Sequence, residues 1–172
     1  MNLFSQLTYV SALILLLLPL GLSAKVKAPN YDFSLDSLQV FMPGAKLEDI
    51  QAKFKKSVKL QKTDKGISLY KVYVEQIRYK FPVFFQTKDS MIIDFYARLP
   101  AYFLHDIFHQ SIINRFGKQD KYFKKEEAAV YIWNKKKNTH VYSGACTITC
   151  FPIYYTVYSN EMKASPLFKT LD

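Results

Sequence analysis

Glycine is scarce in this chain of 172 residues, with only 5 copies, and no glycine-rich loop of the kind that cradles a phosphate is present. The same scarcity excludes collagen-like repeats. The sequence also lacks the G-x-S-x-G nucleophile elbow of the α/β-hydrolases. These absences leave few signs of an enzyme, and the sequence predicts no cofactor.

Charged side chains are absent from the first 24 residues, where Ala12–Leu22 is nearly all aliphatic. Residues 21–24 are mostly small, as at a signal-peptidase cleavage site. This is the layout of a secretory signal peptide. We therefore predict cleavage there and export to the periplasm or the extracellular space. A retained anchor is the alternative, but a span needs about 20 apolar residues and Pro19 interrupts this run. After processing we expect no transmembrane span.

Cysteine is represented only by Cys146 and Cys150, both in the exported part, where thiols tend to oxidise. On a continuous strand their Cα atoms would lie about 13 Å apart, too far for a disulfide. A bridge would need a bend at residues 147–149. A disulfide is favoured over two free thiols, and both alternatives stay open.

Aromatic residues and positive charge are abundant by contrast. Hydrophobic residues form 49% of the chain, which predicts a packed core, and aromatic residues form 16%, which favours sheet. The formal net charge of +10 would attract a protein partner with an acidic surface, or an anionic lipid or envelope polymer. Lysine runs such as residues 135–137 are too short for nucleic-acid arms, so nucleic acid is an unlikely partner.

Hydrophobic periodicity predicts helices at about 46–56 and 101–116, each followed by three strands. The strands are predicted at 67–74, 76–85, 90–99, 128–134, 140–150 and 153–158. A shift of 62 residues places Ile50 and Phe54 on Ile112 and Phe116. The pattern predicts an α+β fold, with tandem helix plus three-stranded antiparallel units forming one continuous sheet with helices on one face. The predicted segments are a signal peptide (1–24), an N-terminal arm (25–42), a first repeat (43–99), a second repeat (100–159) and a C-terminal tail (160–172).

Alternation along the predicted strands separates two faces of the sheet. One face, covered by the helices, would carry Met91, Ile93, Phe95, Ile153, Tyr155 and Val157. The opposite face would be basic and aromatic, the residue types that dominate binding hot spots. Its predicted binding residues are Arg78, Lys80, Tyr96, Arg98, Tyr131, Trp133, Tyr154 and Tyr158. A second layer or the N-terminal arm covering this face is the alternative.

The order of elements over residues 40–158 resembles that of the small envelope modules of the SmpA/OmlA type and the related β-lactamase-inhibitor proteins. Their helix is preceded by a glycine with a hydrophobic residue six positions on, a spacing that Gly44 and Ile50 keep. Phe54 occupies a following apolar position of the same pattern.

The end of the helix departs from that pattern in the first unit, where Lys55-Lys56 stands in place of the terminal glycine. The second unit keeps it, since "RFGKQD" at 115–120 resembles the family's helix exit. The resemblance implies a protein-binding role, such as inhibiting a secreted enzyme or supporting an envelope assembly. The absence of a lipid-attachment cysteine departs from the lipoprotein members, and no binding residue carries over.

The stretch "HDIFH" places His105 and His109 four residues apart, so that both could face one metal ion from a helix. Zincins use this spacing with Glu beside the first histidine, whereas Asp106 stands here. A third ligand would have to come from His140 or a carboxylate. The simpler interpretation is that both histidines flank the apolar stripe of a packed helix, and we predict no metal site.

Taken together, these patterns predict an exported protein-binding module, not an enzyme, that uses a basic aromatic sheet face. A small secreted metal-dependent hydrolase using the His105/His109 pair is the competing hypothesis. A binder of anionic lipid or cell-wall polymer is the third.

Overall fold

The computed structural model describes residues 35–76, 79–100, 105–125, 128–145 and 153–170. Several sequence predictions fall outside these residues. They are the signal peptide at 1–24, most of the arm at 25–42, Arg78, and the disulfide between Cys146 and Cys150.

Eight strands and two short α-helices account for most of the described chain. The strands are β1 (Lys59–Asp64), β2 (Ile67–Gln76), β3 (Tyr79–Lys88), β4 (Met91–Leu99), β5 (Lys121–Lys125), β6 (Ala128–Asn134), β7 (Asn138–Ala145) and β8 (Ile153–Ser159). The α-helices are α1 (Leu47–Phe54) and α2 (His105–Phe116), and 3₁₀ turns cover Leu35–Phe41, Lys55–Ser57 and Leu167–Lys169.

All eight strands belong to one antiparallel sheet with the order β1-β2-β3-β4-β8-β7-β6-β5. It consists of two four-stranded meanders, β1–β4 and β5–β8, joined where β4 pairs with β8. The first strands of the two meanders, and their last strands, are offset by the same distance in the chain. Lys59 and Lys121, which open β1 and β5, are 62 residues apart, as are Met91 and Ile153, which open β4 and β8.

The predicted α+β class with three-stranded units is therefore wrong, because the chain is dominated by a single eight-stranded sheet with few short helices. The two strands that the prediction missed are β1 and β5, which form the edges of the sheet. Both are rich in lysine, and every side chain of β1 is exposed. Charged edge strands protect a sheet from pairing with other chains, but they lack the apolar alternation that identifies a strand in a sequence.

Tight turns with positive φ connect β1 to β2 and β3 to β4. Lys65 and Gly66 link β1 to β2 with φ of 49° and 77°, and Asp89 and Ser90 link β3 to β4 with φ of 51° and 61°. Two central residues with positive φ are typical of type I′ turns, whose twist matches that of antiparallel strands.

Both α-helices pack on one face of the sheet, which we call the helix face. Ile50 of α1, and Phe108 and Ile112 of α2, belong to one core cluster with side chains from both meanders. The 3₁₀ turn at 35–41 adds Leu38 and Phe41 to that cluster. Its Asp36 also forms an ion pair with Arg115 of α2. This turn therefore contacts both halves of the core.

A β-bulge at Ile93 changes which side chains of β4 reach the helix face. Gln86 pairs with Asp94 and Thr87 with Ile92, so that Ile93 has no partner on β3. Ile92 is consequently buried in the core while Met91 is exposed. The predicted placement of Met91 and Ile93 in the core is wrong, because an unpaired residue reverses the alternation of the strand. Beyond the bulge the predicted core residues Phe95, Ile153, Tyr155 and Val157 are all buried there.

Candidate interaction surface

The sheet face remote from the α-helices, which we call the distal face, has a polar and aromatic centre where the two meanders meet. Register places Tyr96 opposite Thr156, and Asp94 opposite Tyr158. The rings of Tyr96 and Tyr154 lie 5.1 Å apart. Thr156 donates its hydroxyl to the Phe95 carbonyl at 2.6 Å, which satisfies it within the sheet.

The C-terminal strap, residues 160–170, covers this centre. Leu167 is 1% exposed and packs in a second core cluster with Tyr96, Val141 and Tyr154. The ring of Phe168 stacks on that of Tyr158 at 5.9 Å. The middle of the distal face is therefore a small second core, and its tyrosines are not available for docking.

A buried carboxylate fixes the strap to the sheet. Asp94 Oδ2 accepts the Leu167 backbone N–H at 2.5 Å, and its Oδ1 lies 3.5 Å from the Thr156 hydroxyl. Burial raises the pKa of Asp94 to about 7, against the lowering effect of these hydrogen bonds. The strap therefore depends on a side chain that takes up a proton near neutral pH.

The distal face of the first meander extends beyond the strap, where Tyr73 and Lys80 are exposed and Lys71 and Phe84 are half-buried. Lys71 Nζ lies 5.0 Å from the ring centroid of Tyr73 and 5.2 Å from that of Phe84. Lys80 Nζ lies 5.8 Å from the centroid of the Tyr73 ring. We call these four residues, Lys71, Tyr73, Lys80 and Phe84, the basic strip.

The basic strip is held by strand register as well as by cation–π contacts. Lys71 pairs with Phe84, and Glu75 pairs with Lys80, so their side chains share the distal face. Glu75 accepts a hydrogen bond from Lys80 at 2.7 Å and raises the pKa of Lys80. Both members of this ion pair are well exposed, so it orients Lys80 and adds little stability.

The predicted binding residues are divided by the structure. Lys80 and Arg98 are exposed on the distal face, and Tyr158 is half-buried there. Tyr96 and Tyr154 are on the same face but buried beneath the strap. Arg78 lies outside the described residues.

The predicted distal placement of Tyr131 and Trp133 is wrong. Trp133 is fully buried in the helix-face core, where its Nε1 donates to the Gly117 carbonyl at 2.8 Å. Tyr131 packs against the same core, and its ring lies 4.1 Å from that of His109. The alternation of β6 was correctly read, but alternation alone does not say which set of side chains meets the helix.

Lys71, Tyr73 and Phe84 were missed as surface residues. A signal was present, because Lys71 and Tyr73 alternate with Val72 and Val74, which are both buried. Two valines mark the inner face of a strand, and their neighbours then belong to the outer face. Phe84 carried no such signal, since aromatic rings occupy both faces of β3.

The histidines are placed among aromatic rings. His109 lies 5.9 Å from Tyr142 with nearly parallel planes, in addition to its contact with Tyr131. His140 is buried and hydrogen-bonded through Nδ1 to the Tyr155 hydroxyl at 2.7 Å. Burial, with Lys135 nearby, lowers the pKa of His140 to about 4, so the ring is neutral at pH 7. The side chain of His105 is outside the described set.

Among the residues that the structure describes, no three or more His, Cys, Asp or Glu side chains converge in a way that could hold a metal ion. No helix among these residues is long and apolar enough to cross a membrane.

Comparison with known proteins gives one structural likeness. No protein-family model and no curated protein matches the chain. The fold is similar to the crystal structure of a DUF4309 family protein (YjgB) from Bacillus subtilis subsp. subtilis str. 168, with a TM-score of 0.43 and 9% sequence identity, over 69% of this chain and 81% of that chain. A likeness at this level assigns neither family nor function. The resemblance to SmpA/OmlA modules and β-lactamase-inhibitor proteins stays a prediction.

Proposed function

We propose that the chain is an exported protein-binding module whose basic strip docks on an acidic surface of a partner protein. The observation that carries the proposal is the position of Lys71 Nζ within about 5 Å of two aromatic rings on an open sheet face. Tyr73, between Lys71 and Lys80, is 44% exposed. A tyrosine ring flanked by two ammonium groups offers both apolar contact area and positive charge.

The rest of the molecule supports this choice of surface. The helix face is filled by the main core, and the centre of the distal face is covered by the strap. Arg98 adds a further exposed cation on the distal face of the first meander, on β4. The formal net charge of +10 would steer an acidic partner towards the chain before docking.

A capture experiment with matched charge variants tests the proposal. The chain lacking residues 1–24 is immobilised and exposed to the envelope and secreted fractions of its source, and captured proteins are quantified by mass spectrometry. Lys71→Glu with Lys80→Glu should reduce recovery of the specific partner by at least about tenfold, equal to about 1.4 kcal/mol of binding free energy. Lys118→Glu with Lys136→Glu makes the same charge change at exposed positions outside the strip and should reduce recovery much less.

A second matched pair separates the ring from the charges. Tyr73→Ala should weaken capture, whereas Tyr122→Ala should not, although Tyr122 is similarly exposed at 49%. Equal losses in the strip variants and their controls would contradict the proposal, because general attraction to net charge would then explain capture. Binding to anionic vesicles without any captured protein would favour a lipid-binding role instead.

A further inference from the structure

The two edge strands of the sheet differ in regularity. In β1 the register with β2 shifts between Leu60 and Lys62, so that Gln61 has no partner. Such a β-bulge bends an edge strand and makes it a poor template for a further strand. In β5 all 5 residues, Lys121–Lys125, pair with β6 in unbroken register. Of the two edges, β5 is therefore the one whose backbone suits the addition of another strand.

The outer side of β5 is open. Among the residues that the structure describes, β5 pairs with β6 alone, and residues 121–124 are all exposed. On the outer side of a regular edge strand, alternate residues present backbone N–H and C=O groups that no neighbouring strand satisfies. An extended peptide that adds to such an edge pairs with these groups, which is the mode of recognition called β-augmentation.

Aromatic rings lie beside this edge on both faces of the sheet. Phe123 is 54% exposed, and its partner Val130 packs against the second core cluster, on the distal face. Tyr122 pairs with Tyr131, which packs on the helix-face core, and these two rings lie 5.1 Å apart. A strand added to β5 would therefore contact an exposed ring on each of its faces.

The charge of β5 determines which strand can be added. Its charged residues are all lysines, with Lys121 on the distal face and Lys124 on the helix face. Asp120 precedes β5 and its carboxylate accepts the Asn134 N–H at 2.6 Å, on the β6 side of the strand. Like charges opposite one another destabilise strand pairing, so a second copy of β5 is a poor partner, whereas acidic side chains opposite the lysines would stabilise it.

We propose that β5 binds an acidic, extended segment of a partner protein by adding it to the sheet as a further strand. Acidic side chains of that segment would lie opposite Lys121 and Lys124, and apolar side chains opposite Tyr122 and Phe123. Four strands, β6, β7, β8 and β4, separate β5 from the basic strip on β2 and β3. The two sites are therefore independent, and either proposal can fail while the other stands.

A short synthetic peptide tests the pairing on the unaltered chain. In acetyl-Thr-Glu-Val-Val-Glu-Thr-amide the glutamates would lie opposite the two lysines and the valines opposite the two rings. Its central four residues read the same in both directions, so parallel and antiparallel addition give the same contacts. Hydrogen exchange followed by NMR should show that the peptide slows exchange of the β5 amides that point away from β6. The peptide with lysine in place of glutamate should bind about tenfold more weakly.

Methylation of the peptide backbone separates strand pairing from attraction between charges. Two versions of the acidic peptide carry N-methyl groups on alternate residues, one starting from the first residue and the other from the second. Because alternate N–H groups of a strand point to opposite sides, one version should lose affinity by about tenfold or more, and the other should keep it. Equal affinities of the two versions would overturn the proposal, since charge alone would then explain binding.

Charge reversal at the two edges gives matched variants. Lys121→Glu with Lys124→Glu should reverse the preference, so that the lysine peptide binds more tightly than the glutamate peptide. Lys59→Glu with Lys62→Glu makes the same change on the bulged edge and should leave the preference for glutamate unchanged. The charge-reversed variant of the basic strip should leave it unchanged as well, which separates this test from that of the proposed function.

Two outcomes with the unaltered chain would overturn the proposal without any variant. One is unchanged exchange of the β5 amides at saturating acidic peptide. The other is slow exchange of these amides that depends on protein concentration and not on peptide, because a second copy of the chain would then cover the edge.

Discussion

The two meanders share their strand order, but their helix-face cores are chemically different. The core of the first is apolar, with Val72, Val74, Phe81, Val83 and Phe85. The helix-face core of the second meander contains aromatic rings that form hydrogen bonds. Trp133 donates to a backbone carbonyl, and His140 is bonded to Tyr155. This arrangement of strands therefore requires side chains of sufficient volume at alternating positions, and those side chains can be either apolar or hydrogen-bonded.

The C-terminal ends of α1 and α2 also differ between the two halves of the chain. Gly117, which follows α2, has φ of 77° and donates its N–H to the Ile113 carbonyl at 2.8 Å, as expected for a C-terminal glycine. The residue that follows α1, 62 positions earlier, is Lys55, with φ of 45°. A side chain at positive φ is strained, so α1 ends less favourably than α2.

The largest expected effect concerns the polar core of the second meander. Trp133→Ala should lower the free energy of unfolding by about 3–5 kcal/mol, because it removes a fully buried ring. Trp133→Phe restores most of the volume but leaves the Gly117 carbonyl without its donor, and should still cost about 1–3 kcal/mol. Urea denaturation followed by circular dichroism measures both changes. If Trp133→Phe left the free energy of unfolding unchanged, the hydrogen bond of Trp133 would not contribute to the stability of the second meander's core.

The next effect concerns the pH dependence of stability. Each meander contains a buried titratable group, and the two groups change the free energy of unfolding with pH in opposite directions. The pKa of Asp94 rises from 3.8 to about 7 on folding, so its contribution to stability is present below pH 4 and is lost as pH rises towards 7. The pKa of His140 falls from 6.5 to about 4, so its contribution is present above pH 6.5 and is lost as pH falls towards 4. Between pH 4 and 6.5 the two slopes partly cancel.

Variants that remove one titratable group at a time should separate these two pH dependences. In Asp94→Asn, the free energy of unfolding should rise with pH between 4 and 6.5, because of the two opposing groups only His140 remains. In the double variant His140→Phe with Tyr155→Phe, it should fall by a few kcal/mol as pH rises from 4 to 7. Denaturation midpoints measured at half-unit intervals test both. A profile of Asp94→Asn identical to that of the unaltered chain would show that Asp94 is not the group responsible.

The smallest expected effect concerns the helix ends. Lys55→Gly should stabilise the chain by about 1 kcal/mol, and Gly117→Ala should destabilise it by a similar amount. An added Cβ at Gly117 meets nothing within 4 Å, so backbone strain alone would account for the loss. Thermal and chemical denaturation of both variants give the comparison. If both substitutions changed the free energy of unfolding in the same direction, the positive φ of these two residues would not explain their effects.

The strands of this fold could be predicted where apolar residues alternate without interruption, and could not be predicted elsewhere. The predicted strands at 128–134 and 153–158 coincide with β6 and β8, whose apolar residues are dense. The edge strands β1 and β5 were missed because lysine suits an edge and carries no periodic signal. The pairing of β4 with β8 could not be predicted from local sequence patterns either, because it joins residues about 60 apart in the sequence.

The candidate surface was predicted only in part, for two physical reasons. Tyr131 and Trp133 were predicted on the distal face, because alternation along β6 does not say which set of side chains meets the helices. Burial of Tyr96 and Tyr154 depends on the strap, whose sequence carries no periodic apolar pattern that would predict packing. Lys80 and Arg98 could be predicted as exposed because a cation on an alternating strand rarely faces a core.

The closure of β4 against β8 also constrains how the chain reaches its native state. Met91–Leu99 is the outer strand of the first meander until Ile153–Ser159 has been synthesised and docked, so the backbone N–H and C=O groups that face β8 stay unpaired through translation of the intervening segment. Pairing over such sequence separation slows folding, and an unprotected strand edge invites intermolecular association in the interval. Newly made chains stalled before residue 153 should therefore be prone to aggregate unless a chaperone shields that edge.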